Sequence, residues 1–432
     1  MVNFRSARGG RKASAITHKQ SLPQARNLKS FDVLVVGGGP TGSLAAYTLA
    51  KGGIDVAILE KEKVPRYKVC GGGLQGKSLR CLPFQVSEVV EREIFGMVFQ
   101  LRLKNKFIRR YPLPISYNVN RERFDYLLLK HAQEAGAVLL QEAKVCSLEV
   151  SRDSVKVFTE RETLGGRVII GADGAHSVVR KAINPKGSMQ GQMGIICELK
   201  RGENTSHVPE DIYIIDWGTV PGGYAWIFPK EGILTTGAMV PLVLSGSLKG
   251  YLQAFLRGQG LGMGGERVLA HPIPTRGPGE TISTTWGLLA GDAAGLTDPF
   301  TGEGLYYALR SGEMAARWAG EFLKSGADLR GYEEEIEQKL MPEIIIAWKL
   351  RNFFNTFSGY VHNLYKKNDR LWCSFCEMLR GEITLEEGVR RTGIVTNLRN
   401  RPPQPIRGYI ERFTAWYESR QIERFKRSKP PW

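Results

Sequence analysis

No run of about eighteen apolar residues occurs in this 432-residue chain, because Lys, Asp or Gly interrupts every apolar stretch within about a dozen positions, so a membrane-spanning helix is excluded. Cysteine is scarce: six in the whole chain cannot build a disulfide framework, and the compartment is read as reducing. Cys373-x-x-Cys376 stands without a second pair or a histidine at ligand spacing, which argues against zinc and for two cysteines packed on a helix. The opening has no secretory apolar segment. Patterns of RNA-recognition, helix-turn-helix or zinc-finger domains are missing, which excludes the common nucleic-acid-binding modules, and there is no internal repeat or low-complexity segment. Acidic residues are missing from the first thirty positions, where Arg5, Arg8, Arg11, Lys12, Lys19, Arg26 and Lys29 stand alone. That acid-free, Ser-containing composition leaves organelle targeting by residues 1–30 open.

What is present is the composition of a globular enzyme, 42% hydrophobic and 24% charged, with a formal net charge of +17. Much of the excess lies at the two ends. Residues 400–432 hold eight Lys or Arg against three Glu, interleaved with Tyr409, Phe413, Trp416, Tyr417 and Phe425. Such a mixture suits an anionic membrane surface, or a membrane protein partner, while the alternative is a pair of solvated arms. The expected location is cytoplasmic and peripheral to a membrane.

Ordered sequence is expected from Phe31, where Phe31 to Val36 is a short Val-rich run of the kind buried in a parallel sheet. A helix over Gly42 to Lys51 and a strand over Ile54 to Leu59 follow. Arg121 to Ala135 has apolar residues at helical spacing. Val145 to Val150 and Val155 to Phe158 predict a hairpin, and Arg167 to Gly171 another buried strand. From Gln190 to about Thr284 the texture changes to β-rich pieces separated by Gly and Pro, and beyond a helix from Gly304 to about Leu323 the chain is mainly helical.

The first chemical constellation is Gly37-x-Gly39-x-x-Gly42 between strand and helix, with the acid Glu60 ending the second strand. Gly37 permits a tight turn, Gly39 lets a pyrophosphate approach the backbone, Gly42 lets helix and strand pack, and Glu60 can accept ribose hydroxyls. Thr41 in the loop and Lys61 beside the acid belong to the same expected dinucleotide site. Two later segments decide for FAD over NAD. Gly171-Ala172-Asp173-Gly174 through Arg180, and Gly291-Asp292 through Asp298-Pro299-Phe300-Thr301-Gly302-Glu303-Gly304-Leu305, resemble the second and third fingerprints of glutathione-reductase-type flavoproteins of the p-hydroxybenzoate hydroxylase group. The resemblance implies that Asp292 binds ribitol and that the amides near Gly304 and Leu305 face the flavin pyrimidine.

Two further pieces, Lys68-Val69-Cys70-Gly71-Gly72-Gly73 and Tyr224-Ala225-Trp226-Ile227-Phe228-Pro229, resemble the geranylgeranyl reductase family from about Phe31 to Arg391. The cysteine loop departs from the Lys-Pro-Cys-Gly-Gly-Ala-Ile-Pro form of the chlorophyll-specific branch, so prenyl chemistry is better supported than phytyl chemistry. The family implies FAD-dependent reduction of isolated C=C bonds in a prenyl chain on a lipid, quinone or chlorophyll precursor, with NADPH or ferredoxin as electron donor. It also implies a flavin-proximal, catalytic place for Cys70 beside Gly71 and Gly73, and an Arg121 that pairs with pyrophosphate. Tyr224, Trp226 and Phe228 alternate at strand period, which puts the three rings on one face, expected to wall the prenyl tunnel.

The expected architecture is α/β: a Rossmann FAD-binding domain over 31–185 and 286–325, an inserted antiparallel β-sheet substrate domain over 186–285, and a helical region over 326–399, flanked by basic segments 1–30 and 400–432. A flavin monooxygenase or halogenase shares the fingerprints, and an FAD-containing subunit docking on a membrane complex is the alternative from another class. His176 and His271 receive no role.

Overall fold

The computed structural model describes residues 29–392, except 153, 186, 188, 189 and 278, together with residues 419–428. Its first sheet is built around Lys29–Val36, which lies between Val56–Leu59 and Thr163–Gly171 and runs parallel to both. Val138–Leu140 adds a parallel strand beyond Val56–Leu59, and Gly287–Leu289 pairs parallel with Thr163–Gly171. The hairpin Val145–Val150 and Val155–Thr159 completes it in antiparallel fashion. Val33 to Val36 are buried on both faces, which is why the segment is a continuous apolar run and not an alternating one.

Helix Pro40–Lys51 starts directly after the glycine loop, with Pro40 in the first turn where its missing N–H costs nothing. Arg121–Glu134 is opened by Asn120, whose side-chain oxygen accepts from Glu122 N at 2.9 Å, and it buries Phe124, Leu127 and Leu128. Each such apolar side chain contributes about 1.5–3 kcal/mol on leaving water. Helix Leu305–Ser325 packs on Pro40–Lys51 and so brings the third fingerprint against the first.

A second sheet has the strand order Val268–Thr275, Gln190–Lys200, Ile233–Pro241, Tyr224–Pro229, Ile212–Trp217, Gly96–Leu101, Lys104–Arg110. Its pairs are antiparallel except for Ile212–Trp217 with Gly96–Leu101. The hairpin 96–110 falls within the range expected for the FAD-binding part, yet it forms the edge of this second sheet. Its parallel partner, Ile212–Trp217, is remote in sequence, and nothing local signals that pairing. Helix Leu248–Arg257 covers one face of the sheet through Tyr251, Leu252, Phe255 and Leu256.

A small third sheet, Gly73–Gln75, Ser116–Val119 and Val90–Ile94, joins the cysteine loop to the rest. The helices Met341–Thr356, Ser358–Lys367 and Asp369–Arg380 then pack on the edge of the second sheet around Phe99, Tyr365 and Trp372. Cys376 is buried in that cluster, where burial pushes its thiol pKa up. No helix among the described residues is long and apolar enough to cross a membrane. The basic segments 1–28 and 393–418, with 429–432, lie outside the described residues. Of the tail, residues 419–427 are helical, and Ile422 and Phe425 pack against the core of the second sheet.

Candidate active site

One cavity of about 1070 Å³ runs from the first glycine loop to the helices at the edge of the second sheet. Gly37, Gly39, Thr41, Glu60, Lys61, Cys70, Gly71, Gly73, Arg121, Asp173, Asp292, Gly304 and Leu305 line it, as do Tyr224, Trp226 and Phe228. Gly42 does not. A Cβ there would stand 1.9 Å from Gly37 O, so its part is to let the helix meet the loop. Gly37 itself adopts φ +102, a left-handed conformation that a side chain disfavours.

At the loop end, Glu60 is 3% exposed, and Oε2 accepts from Gly38 N at 2.9 Å while Oε1 accepts from Glu62 N at 3.0 Å. Arg66 was not singled out from the sequence. Its Nε is 3.3 Å from Glu60 Oε2, its Nη1 is 3.3 Å from Asp125 Oδ2, and a Cβ on Gly39 would lie 3.8 Å from its Nη2. A guanidinium therefore overlies the loop. The expected cation, Arg121, lines the cavity with its fork turned onto Asp125, at 2.8 and 3.1 Å. Burial opposes its charge, but the Asp125 carboxylate overcomes burial and holds it protonated.

These residues fit FAD. The helix start at Gly39 carries no side-chain cap, which leaves an amino terminus facing the cleft. Asp173 Oδ2 accepts from Val178 N at 2.7 Å, whereas its buried Oδ1 has no partner among the described residues. Helix Leu305–Ser325 likewise starts at Gly304 without a side-chain cap at that position, though Glu303 Oε1 accepts from Tyr306 N at 2.8 Å. Burial pushes the Glu303 carboxyl pKa up.

In the middle of the cavity Lys68 Nζ lies 2.9 Å from His271 Nε2, and that same ring nitrogen is 4.0 Å from Asp292 Oδ2. An ammonium can only donate, so His271 Nε2 accepts and the ring proton sits on Nδ1. Burial, then the Lys68 charge, pushes the His271 pKa down to about 3, so the ring is neutral and forms no ion pair with Asp292. Burial also pushes Lys68 down and Asp292 up, each partly restored by the other. No periodicity could have found His271, which reaches the site because Val268–Thr275 is the outer strand of the second sheet.

The loop Cys70–Gly73 separates the polar cleft from an apolar chamber. Gly72 N donates to Cys70 Sγ at 3.4 Å. A Cβ on Gly71 would stand 3.1 Å from the Phe228 ring and 3.3 Å from Trp226 Nε1, so the loop lies directly on the aromatic strand. Tyr224, Trp226 and Phe228 share that face, with neighbouring ring centroids 5.5 and 6.0 Å apart, while Ala225 and Ile227 fill the core behind them. Tyr213 stacks on Phe228 at 3.9 Å and is pinned by Asn118 Oδ1 and Ser116 Oγ. Met97, Phe99, Ile215, Trp217, Tyr365, Phe375 and Leu379 continue the lining. Sequence reasoning missed them, although Met97/Phe99 and Tyr213/Ile215/Trp217 carry the same period of two as the Tyr-x-Trp-x-Phe strand.

Such an arrangement has room for a dinucleotide at one end and for a long apolar molecule at the other, with Cys70 between them. Residues 30–207 match the family model described as an FAD binding domain. A geranylgeranyl diphosphate reductase of Rhodobacter capsulatus is 32% identical over 325 residues, covering 69% of this chain and 78% of the relative. A digeranylgeranylglycerophospholipid reductase of Methanococcoides burtonii is 27% identical over 340 residues, 74% of this chain and 79% of the relative. Among solved structures, a geranylgeranyl bacteriochlorophyll reductase-like protein from Thermoplasma acidophilum superposes with a TM-score of 0.73 at 24% identity, covering 86% of this chain and 99% of that one.

Proposed function

The chain belongs to the geranylgeranyl reductase family of FAD-dependent oxidoreductases, and from that premise we propose that it reduces isolated C=C bonds of a prenyl chain carried on a lipid, quinone or chlorophyll precursor. The observation that carries the proposal is the continuity of the cavity. The same space that meets Glu60, Asp292 and Gly304 passes the cysteine loop and ends among Phe99, Trp217, Tyr365 and Phe375. An aromatic, water-excluding chamber suits an unactivated alkene, which accepts hydride only when a proton reaches its other carbon in the same event.

When bound and reduced, the flavin would supply the hydride. The protein residues do the rest. Glu60 and Arg66 hold the nucleotide end, and Asp292, whose charge Lys68 favours, faces the polyol. Tyr224, Trp226 and Phe228 with the facing Tyr213 clamp the chain in an extended form and keep water out. Cys70 Sγ, at the junction, carries the proton delivered to the alkene, and Gly72 N–H, which already donates to the sulfur, stays to hold it once that proton has left. Each turnover thus adds one hydride and one proton across one double bond. The electrons come from an external donor, NADPH or ferredoxin, and the reaction takes place at an anionic membrane surface, in keeping with the net charge of +17.

The test is anaerobic. The flavin is reduced with dithionite, geranylgeranyl diphosphate or a geranylgeranylated lipid is added, and flavin reoxidation is followed together with the mass of the chain. Reoxidation with a gain of two hydrogens per double bond is expected. A flavin that stays reduced with every prenyl compound, yet reoxidises on admitting oxygen, would sink the proposal. Adding NADPH or reduced ferredoxin in turn to the oxidised protein identifies the donor.

A further inference from the structure

We propose that the outer surface of the helix pair Met341–Thr356 and Ser358–Lys367, with the hairpin 96–110 beside it, is the face by which this protein docks on an anionic lipid bilayer, placing the chamber mouth against the membrane. The meaning of the chamber mouth rests on the prenyl-reductase reading; the docking itself does not.

Three of the largest exposed apolar side chains fall within residues 348–360: Trp348 at 46% exposure, Phe357 at 45% and Tyr360 at 61%. The same short span supplies Arg351, Phe354, Asn355 and Ser358 to the chamber lining. This wall of the chamber therefore carries three large aromatic rings on its outer surface, which a wall facing only water does not need. The two surfaces also meet. The Arg351 guanidinium lies over the exposed Trp348 ring at 5.7 Å, and Arg102 Nη2 donates to Ser358 Oγ at 3.4 Å, between Phe357 and Tyr360 in the chain. The first contact puts the Trp348 ring beside a lining residue, and Phe357 and Tyr360 flank the lining residue Ser358 in the chain.

The charge around the rings is mostly positive. Residues 341–367 carry Lys349, Arg351, Lys366 and Lys367 against Glu343, and residues 101–110 carry Arg102, Lys104, Lys106, Arg109 and Arg110 with no acid. Arg109 and Arg110 are paired with Asp369 and Asp211, whereas Lys104, Lys366 and Lys367 are exposed. Trp and Tyr settle at the headgroup level of a bilayer, and lysines beside them are drawn to anionic headgroups, so aromatic rings and lysines together form the two signals that stable peripheral binding requires. A protein interface would instead be depleted of lysine.

The experiment uses the full-length, FAD-loaded protein and sedimentation with phosphatidylcholine vesicles, with and without phosphatidylglycerol. Binding to the phosphatidylglycerol vesicles is expected. The triple substitution Trp348→Ser, Phe357→Ser, Tyr360→Ser replaces no chamber-lining residue and lowers the partition coefficient by about tenfold or more. Lys366→Gln and Lys367→Gln each lower it about fivefold, an effect that vanishes at high salt. Brominated lipid quenches tryptophan emission, and Trp348→Phe removes that quenching. A triple variant that binds like the parent would overturn the proposal. So would a parent that ignores vesicles but forms a dimer broken by the same substitutions, since the face would then be a self-association surface. Turnover of a soluble prenyl diphosphate is measured in parallel. Vesicle binding lost with this turnover retained supports the docking face, whereas vesicle binding with no prenyl turnover in the parent counts against the reductase reading alone.

Discussion

Replacing Glu60 by Ala removes a buried carboxylate that supports the nucleotide loop from within. Its Oε2 accepts from Gly38 N at 2.9 Å and faces Arg66 Nε at 3.3 Å. The backbone of Glu60 is held independently, by Leu140 O and Ala143 N, so the strand should survive the change. Without the side chain, Gly38 N–H loses its acceptor inside the loop, at a cost of about 1–3 kcal/mol, and the ribose loses a charged hydrogen bond of about 1.5–3 kcal/mol. Arg66 keeps Asp125 and stays in place. With part of the loop cost shared by the apoprotein, about 3–4 kcal/mol falls on binding, a loss of about 10²–10³-fold in FAD affinity. Glu60→Gln keeps an oxygen for Gly38 N but not the charge, and the loss is about tenfold. The assay is titration of apoprotein with FAD, followed by quenching of flavin fluorescence. An Ala variant whose dissociation constant lies within about threefold of the parent would refute the assignment of Glu60 to the nucleotide.

The remaining expectations concern three other positions. Gly42→Ala forces a Cβ against Gly37 O, so the protein is isolated with little bound flavin, read as flavin absorbance per protein, while circular dichroism reports whether the fold persists. Cys70→Ala retains its flavin and its reduction by the external donor, but reoxidation by prenyl substrate slows by about 10² or more. An unchanged rate removes the proton role from Sγ. His271 is neutral in the fold because its pKa is pushed from 6.5 to about 3, so below pH 6.5 the unfolded chain takes up a proton that the folded chain refuses. The stability is whole above pH 6.5 and falls as acid is added; at pH 5 the apoprotein loses about 1–2 kcal/mol that His271→Gln does not lose, with the ring's partial exposure already allowed for. Urea denaturation of both proteins at pH 7 and pH 5 checks the difference.

The legible parts of this molecule were those whose signal is local. Phe31 to Val36, the glycine loop and Glu60 stand in the order strand, turn, helix, strand, acid, and the fold keeps that order because each step needs only its neighbours. Tyr224, Trp226 and Phe228 fall on one face because a strand alternates. The hairpin 96–110 was not legible as part of the second sheet, because strand pairing is chosen by which edges meet and not by spacing along the chain. The same holds for Arg66, which was not singled out because its partner Asp125 comes from a helix remote in sequence.

By itself the sequence determined the elements, the dinucleotide loop and the face on which each aromatic ring lies, since backbone periodicity and glycine sterics act over a few residues. Only the tertiary structure decided that His271 stands against Lys68 beside Asp292, that Tyr365 and Phe375 close the chamber begun by Trp226, and that Cys70 lies where the polar cleft becomes apolar. Those meetings depend on the packing of segments far apart in the chain, whose contacts form only when sheets and helices bury their faces together.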